Sequence, residues 1–137
     1  MKRVSLKEAI KFHGHLGPYL VLGILAGELG LEKLKAKKYF GLDVSVWGAD
    51  HKPRSCLIDG LQLSTGSTYG KGNIKKLQGN RIKIVFNNND CGKITLTLKD
   101  ELINNLNALK RHADSEALAR KLFKAAASGL FNLKTNT

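Results

Sequence analysis

The run RIKIVFNNNDCGKITLTLK, residues 81–99, decides the fold class of this 137-residue chain. Apolar and polar residues alternate over residues 81–87 and again over residues 93–99, which is the period of a strand with one buried face. Asp90 and Gly92 lie between the two runs and favour a tight turn. The run therefore predicts a β-hairpin, and with it antiparallel strand pairing.

Helices are predicted on both sides of this hairpin. Ser5 and Glu8 have the spacing of a capping box, which predicts a short helix over residues 6–12 that ends at Gly14. Pro18 suits the first turn of a second helix, because its missing amide proton would have no partner there. The other predicted elements are a strand over residues 40–47, a helix capped by Ser55 over 56–63, a helix capped by Asp100 over 101–112, and a last helix capped by Asp114 or Ser115 over 116–130.

The second helix has a broad apolar face, so we expect it to be central. Gly23, Gly27 and Gly30 weaken it intrinsically, but small residues about one turn apart also allow another element to approach closely. Helices first, strands in the middle and helices last favour an α+β fold over a regularly alternating parallel sheet. We expect a single domain over residues 1–137, with helices packed on a small, predominantly antiparallel sheet.

The composition limits the classes of function. A net charge of +12 attracts nucleic acids, anionic substrates or acidic proteins, but a solvated, lysine-rich surface is the favoured interpretation. Aromatic residues do not alternate with basic ones as a base-stacking platform requires, so we do not expect nucleic acid as a partner. Two cysteines form no disulfide framework, and no run resembles a signal peptide or a membrane span. We expect a cytoplasmic protein without a membrane segment.

The segment FHGHLGP, residues 12–18, is the first candidate for chemistry. His13 and His15 are separated by one glycine at a break between two predicted helices, so both imidazoles can turn toward a shared point. Imidazole is the commonest transition-metal ligand and also titrates near neutral pH. The alternative is that the pair only packs at the helix junction, since a His-x-His motif alone has low specificity.

The segment CLIDGLQ, residues 56–62, is the second candidate. Cys56 and Asp59 are three residues apart and share a helix face, and Gln62 repeats the step. A buried aspartate needs a cation, a metal or hydrogen-bond donors, and a thiolate needs positive neighbours. The alternative is a core cysteine beside a surface aspartate.

The glycine-rich segment TGSTYGKGN, residues 65–73, does not have the pattern of a Walker loop. Only three residues separate Gly66 from Gly70, and Gly72 follows the lysine where Ser or Thr is required. The order of elements also differs, because a helix precedes the loop. Nucleotide hydrolysis is therefore rejected, although backbone amides and Lys71 could hold a small anion.

Together these segments resemble the core domain of the FmdE family, whose name comes from formylmethanofuran dehydrogenase. The resemblance rests on the order and spacing of the three motifs, of which the first ends at Pro18 and the third at Asn73. It implies an α+β domain that forms a homodimer and has a pocket in which His and Cys side chains bind a transition metal such as zinc. The matching residues are His13, His15 and Cys56 as metal ligands, with Asp59, Gln62, Thr65 and Lys71 around them as the remaining cofactor-binding or catalytic positions.

Two positions depart from the family pattern. Many members have cysteine at the position of Gly17, and another cysteine at the position of Ser67. Thiolates bind soft metals more tightly than imidazoles or hydroxyl groups do, so these replacements leave the metal occupancy open. Some members also carry a cysteine-rich zinc finger after the core, and we expect this chain to be the core alone.

Two functional hypotheses follow. The family name refers to a molybdenum or tungsten enzyme that reduces carbon dioxide, but this chain lacks the cysteines that iron–sulfur clusters need. The first hypothesis is a metal-binding or accessory protein that associates with itself or with a partner enzyme. The alternative is a small stand-alone enzyme for a small anionic substrate. In that enzyme Cys56 or a metal-bound water would be the nucleophile, and Asp59 or a histidine would move the proton.

Overall fold

The computed structural model describes residues 3–136, without the side chain of Asn136. This part of the chain contains five α-helices, one short 3-10 helix and five strands. In chain order they are α1 (Leu6–His13), α2 (Pro18–Leu34), β1 (Leu42–Trp47), α3 (Cys56–Thr65), β2 (Ile74–Leu77), β3 (Lys83–Asn88), β4 (Gly92–Leu98), α4 (Asp100–Asn107), α5 (His112–Phe123), the 3-10 helix Ala127–Gly129, and β5 (Phe131–Asn136).

The five strands form one sheet in the order β2-β1-β3-β4-β5. β3 and β4 are the predicted hairpin, in which Ile84 lies opposite Leu96. β1 and β5 pair antiparallel on either side of this hairpin, and β2 runs parallel to β1 at the edge. The predicted α+β class and the predominantly antiparallel sheet are therefore confirmed.

One face of the sheet contributes to the hydrophobic core together with α2. The inward side chains of β1, β3 and β4 are almost fully buried, and they include Val46, Ile84, Phe86 and Leu96. Nearly every residue of α2 is buried as well, including its first residue, Pro18. The central position predicted for the second helix is confirmed, because its apolar side chains contact both the sheet and α3.

α2 and α3 approach each other at glycines. A Cβ atom on Gly23 would meet the backbone of α3, and a Cβ atom on Gly60 would meet the backbone of α2. Ser64 occupies the space beside Gly27, and its hydroxyl donates to the Gly60 carbonyl at 2.9 Å. The close approach expected from the small residues of α2 is thus present. It holds α3, which carries two of the candidate site residues, against the central helix.

The helix ends near the candidate site follow the sequence closely. Ser5 Oγ accepts a hydrogen bond from the Glu8 amide at 3.1 Å, so α1 begins where the capping box predicts. Gly14 ends α1 in the left-handed region, at φ 107°. Ser55 precedes α3 as predicted, but its side chain makes no capping hydrogen bond, so that part of the prediction was wrong.

The C-terminal third differs from the prediction. The helix over 101–112 is shorter, because α4 ends at Asn107 and α5 already begins at His112. Asp114 and Ser115 therefore lie inside α5 and do not cap it, and Asp100 is the first residue of α4 after the N-cap Lys99. Several asparagines near the end of α4 favour turns over helix, which accounts for its early end.

The last predicted helix, 116–130, was wrong in its second half. α5 ends at Phe123, and the chain then returns to the sheet as β5, which the sequence did not predict. Phe131 lies opposite Leu98 and is buried. The alanines at 125–127 favour a longer helix. Their helix propensity is outweighed because the residues after them pair with the open edge of β4 and bury the Phe131 ring. β2 was also missed, since no element was predicted over its four residues.

Within residues 3–136, none of the helices alone has the length and apolarity needed to cross a membrane. The pair α1 and α2 reaches that length and composition only when taken together, with a bend of 119° between them.

Candidate metal site

His13 and His15 lie at the junction between α1 and α2. The left-handed Gly14 between them turns the chain sharply, so that both imidazoles project from the same corner. Their ring centroids are 4.6 Å apart, with the ring planes inclined by 54°. The His13 side chain is 10% exposed, whereas His15 is an exposed residue. One imidazole is thus fixed within the fold and the other is accessible from solvent.

Cys56, the first residue of α3, is brought to the two histidines by the packing of α3 against α2. One candidate ligand atom from each of His13, His15 and Cys56 lies within 4.8 Å of the other two. Ligand atoms around a tetrahedral zinc ion are roughly 3.5 Å apart, given metal–ligand distances of about 2.0–2.3 Å. The three candidate ligand atoms, at up to 4.8 Å, are therefore within roughly 1.3 Å of the spacing that a bound zinc ion requires.

Asp59 lies one helical turn after Cys56 and contacts His13. His13 Nδ1 is 2.6 Å from Asp59 Oδ2, and an ionised carboxylate can only accept, so Nδ1 carries the proton. His13 Nε2 is then left with a lone pair. Among the described residues that atom is buried without a hydrogen-bond partner. A buried imidazole nitrogen without a partner is costly in a folded protein, and a bound metal would satisfy it.

Gln62 connects Asp59 to the glycine-rich loop. Its Nε2 donates to Asp59 Oδ1 at 3.2 Å, and its Oε1 accepts from the Tyr69 amide at 3.2 Å. The hydrogen bonds therefore run from the loop through Gln62 and Asp59 to His13. Tyr69 was not predicted from the sequence. Its backbone amide makes the contact, and every residue type except proline offers such an amide.

Thr65 and Lys71, the other two candidate ligand-binding residues, lie further along the same segment. The Thr65 hydroxyl is buried and donates to the Leu61 carbonyl at 2.6 Å, while it accepts from the Ser67 amide at 3.0 Å. Lys71 is exposed, and its Nζ donates to the Tyr39 carbonyl at 3.3 Å. The hydrogen bonds of Thr65 therefore stabilise the C-terminal end of α3, and the Lys71 ammonium is accessible to solvent.

Gly17 and Ser67, the two positions that depart from the expected family pattern, have different surroundings. A Cβ atom on Gly17 would lie 3.8 Å from His15 Cε1, an ordinary van der Waals distance. Gly17 is extended, with φ −146°, so any residue could adopt its conformation. Ser67 is buried, and its hydroxyl donates to the Leu42 carbonyl of β1 at 2.9 Å. A side chain at position 17 would therefore face the imidazole of His15, whereas Ser67 is tied to the sheet.

The remaining histidines lie apart from this cluster. His51 and His112 are exposed, and their nearest acidic partners are Asp50 at 3.4 Å and Glu116 at 3.3 Å. Within residues 3–136, His13, His15 and Cys56 are the one group of three His, Cys, Asp or Glu side chains that lie close enough to share an ion.

Burial raises the pKa of the Cys56 thiol, and the negative charge of Asp59 raises it further. Lys52 and a backbone hydrogen bond oppose this increase but are smaller effects. The metal-free thiol is therefore protonated at neutral pH and is a poor nucleophile, because the thiolate is the reactive form. A metal ion would reverse the balance by replacing the proton.

We expect the pKa of the Cys56 thiol in the metal-free protein to lie above that of free cysteine. The measurement is the rate of iodoacetamide alkylation against pH in chelator-treated Cys91→Ser protein, with N-acetylcysteine as the reference. The midpoint should lie above the reference, and Asp59→Asn should lower it, because the substitution removes one of the two causes of the raised pKa. A midpoint below the reference would instead support a thiolate nucleophile.

Comparison with known proteins identifies the family of this chain. The family model for FmdE, described as the molybdenum formylmethanofuran dehydrogenase operon, matches residues 12–136. A protein of Archaeoglobus fulgidus described as a probable S-adenosyl-L-methionine-binding protein is 30% identical over 131 residues. That alignment covers 93% of this chain but 31% of the relative, so the chain spans less than a third of that protein's length. Since the family match covers nearly the whole chain and includes every residue of the cluster, the chain belongs to the FmdE family.

Proposed function

We propose that this protein is an FmdE-like accessory protein that binds one divalent transition metal ion, zinc in the first place. The ligands would be His13 Nε2, an imidazole nitrogen of His15 and the Cys56 sulfur. The observation that carries the proposal is the unpartnered, buried Nε2 of His13 beside the other two ligand atoms. Burying a polar atom without a partner costs free energy, and metal binding by that atom would offset the cost.

Asp59 supports the proposal as the group that orients His13. Metal-binding histidines commonly donate a hydrogen bond from their second ring N–H to a carboxylate, which fixes the tautomer and raises the basicity of the ligand atom. The 2.6 Å contact between His13 and Asp59 has this form, and Gln62 in turn holds the other oxygen of the carboxylate. Asp59 thus acts through His13 in this proposal, and the catalytic role predicted for it belongs to the alternative function.

The donor set favours zinc over harder ions. Two imidazoles and one thiolate suit zinc and other borderline or soft metals, whereas calcium and magnesium require oxygen ligands. Three protein ligands would leave a fourth position open, where a bound zinc ion would supply Lewis-acid chemistry to a water or ligand. Because His15 is exposed, we expect that open position to lie on the solvent side of the cluster.

The second candidate function is a small enzyme for an anionic substrate. The exposed Lys71 ammonium favours it, since it lies on the same loop whose Tyr69 amide is linked through Gln62 to Asp59. Cys56 would then be the nucleophile and Asp59 the proton-transfer group, but the raised pKa of the thiol disfavours this without a metal. The alkylation experiment above tests the form of this second function in which the Cys56 thiolate is the nucleophile.

Assembly and location stay predictions. A homodimer, an association with a partner enzyme and a cytoplasmic location are properties implied by the sequence and the family. The S-adenosyl-L-methionine in the description of the Archaeoglobus fulgidus relative is not part of this proposal, because the chain spans only 31% of that protein.

The proposal is tested by zinc titration of metal-free protein, in wild type and in Asp59→Asn. We expect stoichiometric binding in wild type and an affinity at least about tenfold lower in the variant, which is typical for loss of a carboxylate behind a histidine ligand. Asp50→Asn is the matched control, because Asp50 also pairs with a histidine, His51, but outside the cluster. Equal affinities in all three proteins, or no zinc binding by wild type, would contradict the proposal.

A further inference from the structure

The outer face of the sheet, opposite the core, is an ordered array of polar side chains. Three rows of side chains cross the strands on this face, and the strand register defines them. The middle row contains Lys75, Ser45, Val85, Thr95 and Lys134, in the order β2-β1-β3-β4-β5. These side chains line an open depression of about 1100 Å³, which is separate from the His13 cluster.

Lysines frame this depression on four sides. Lys75 and Lys134 lie at the two edges of the middle row, while Lys83 and Lys93 lie in the rows on either side of it. The floor between them has small or β-branched side chains, including Val85 and Thr95. We refer to this surface, with its four lysines, as the lysine-framed face.

The dimensions of the face suit a helix. Five strands at a spacing of about 4.8 Å give a width of roughly 19 Å, and three rows along the strands give roughly 14 Å. An α-helix with its side chains is about 10–12 Å wide, so one helix fits between the lysines. The small floor residues allow a helix to approach, and the lysines can reach carboxylates on its sides.

The charges of the face select the partner. It has four lysines and one acidic residue, Asp43, so two copies of the face would repel each other. A single-stranded nucleic acid would need exposed aromatic rings, but the one aromatic ring on this face, Trp47, has Lys83 Nζ over it at 4.4 Å. An acidic protein segment needs no aromatic platform and meets the charge directly.

We propose that the lysine-framed face is the docking surface for an acidic amphipathic α-helix of a partner protein. The helix lies across the floor with its uncharged side against Val85 and Thr95, and its carboxylates pair with the surrounding lysines. This inference is independent of the metal site, because neither His13 nor its neighbours line the face.

The test is a nitrogen-15 NMR titration with a synthetic 21-residue helical peptide. Its sequence places leucine and alanine on one side and glutamate on the other, and a scrambled peptide of the same composition is the first control. We expect the amides of β1, β3 and β4 to shift with the first peptide, and at least about tenfold weaker binding by Lys83→Glu/Lys93→Glu. The matched control variant is Lys110→Glu/Lys121→Glu, which makes the same charge change on exposed lysines away from the sheet and should bind within about twofold of wild type.

Several outcomes would overturn the inference. They are no binding at millimolar peptide, equal binding of the scrambled peptide, and equal weakening by the control variant. Tighter binding of poly-uridylate that is lost in Lys83→Glu/Lys93→Glu would make the face a nucleic-acid surface instead. Dissociation of a wild-type dimer by Val85→Glu would assign the face to a second copy of the chain. If the glutamate variant fails to fold, Lys83→Gln/Lys93→Gln, which only removes charge, should still weaken peptide binding several-fold.

Discussion

The double variant His15→Ala/Cys56→Ser is expected to lose the metal that the wild-type protein carries. Removing one imidazole and the sulfur leaves only His13 of the three proposed ligands, and a single imidazole does not hold zinc against buffer and water. We expect about one ion per wild-type chain and nearly none in the variant. The measurement is elemental analysis of protein purified without chelators.

The chain offers a matched control for this variant. His51→Ala/Cys91→Ser removes the same two residue types from exposed positions outside the cluster, and it should keep the wild-type metal content. Equal metal content in both double variants would mean that the ion, if any, binds elsewhere. Circular dichroism of both proteins separates loss of a ligand from loss of the fold, because secondary structure should be unchanged in each.

A single methyl group at Gly60 is expected to destabilise the protein by about 3 kcal/mol, the upper end of the usual cost of overpacking. The added Cβ would lie against the backbone of α2, with Ile24 N at 2.7 Å and Gly23 Cα at 2.8 Å. Backbone atoms cannot rotate away, so the two helices must separate. The measurement is thermal and denaturant unfolding of Gly60→Ala, with a fall in the melting temperature of roughly 10 °C.

Gly129→Ala is the control for this substitution. It lies in the 3-10 helix, and nothing is within 4 Å of its added Cβ. Alanine in a helix gains about 0.5–1 kcal/mol over glycine, so helix propensity alone would make both variants more stable. Opposite signs for Gly60→Ala and Gly129→Ala would show that packing decides at Gly60, and a stabilised Gly60→Ala would contradict the close contact of α2 and α3. Since α3 carries Cys56 and Asp59, Gly60→Ala should also weaken zinc binding.

The elements that the sequence predicts well are those with a strong local pattern. The hairpin of β3 and β4 has alternating residues and a turn with Asp90 and Gly92, and the start of α1 has its capping box. β2 lacks such a signal, because it has only four residues and includes two adjacent lysines. β5 does alternate, since a polar residue follows each of Phe131 and Leu133, but the run is short and follows a segment rich in alanine, so it was missed. Both strands form because an edge of the sheet is available to them, and that edge exists only in the folded chain.

The residues of the candidate site can be predicted from the sequence, but the contacts between them cannot. His13, His15, Cys56 and Asp59 can be selected from the sequence by residue type, spacing and resemblance to the FmdE family. The hydrogen bond between His13 and Asp59 joins residues 46 positions apart, so no local pattern contains it. The role of Gln62 between Asp59 and the Tyr69 amide is equally a product of tertiary packing.

Gly17 affects the rate at which a metal ion would enter and leave the proposed site. With hydrogen in place of a side chain, the corner beside His15 has no fourth protein donor from that direction. A closed shell of four protein donors holds zinc for structure, whereas three donors leave a vertex at which solvent or a delivered ligand exchanges. If this chain binds zinc as proposed, we therefore expect the ion to exchange faster than it would with a cysteine at position 17.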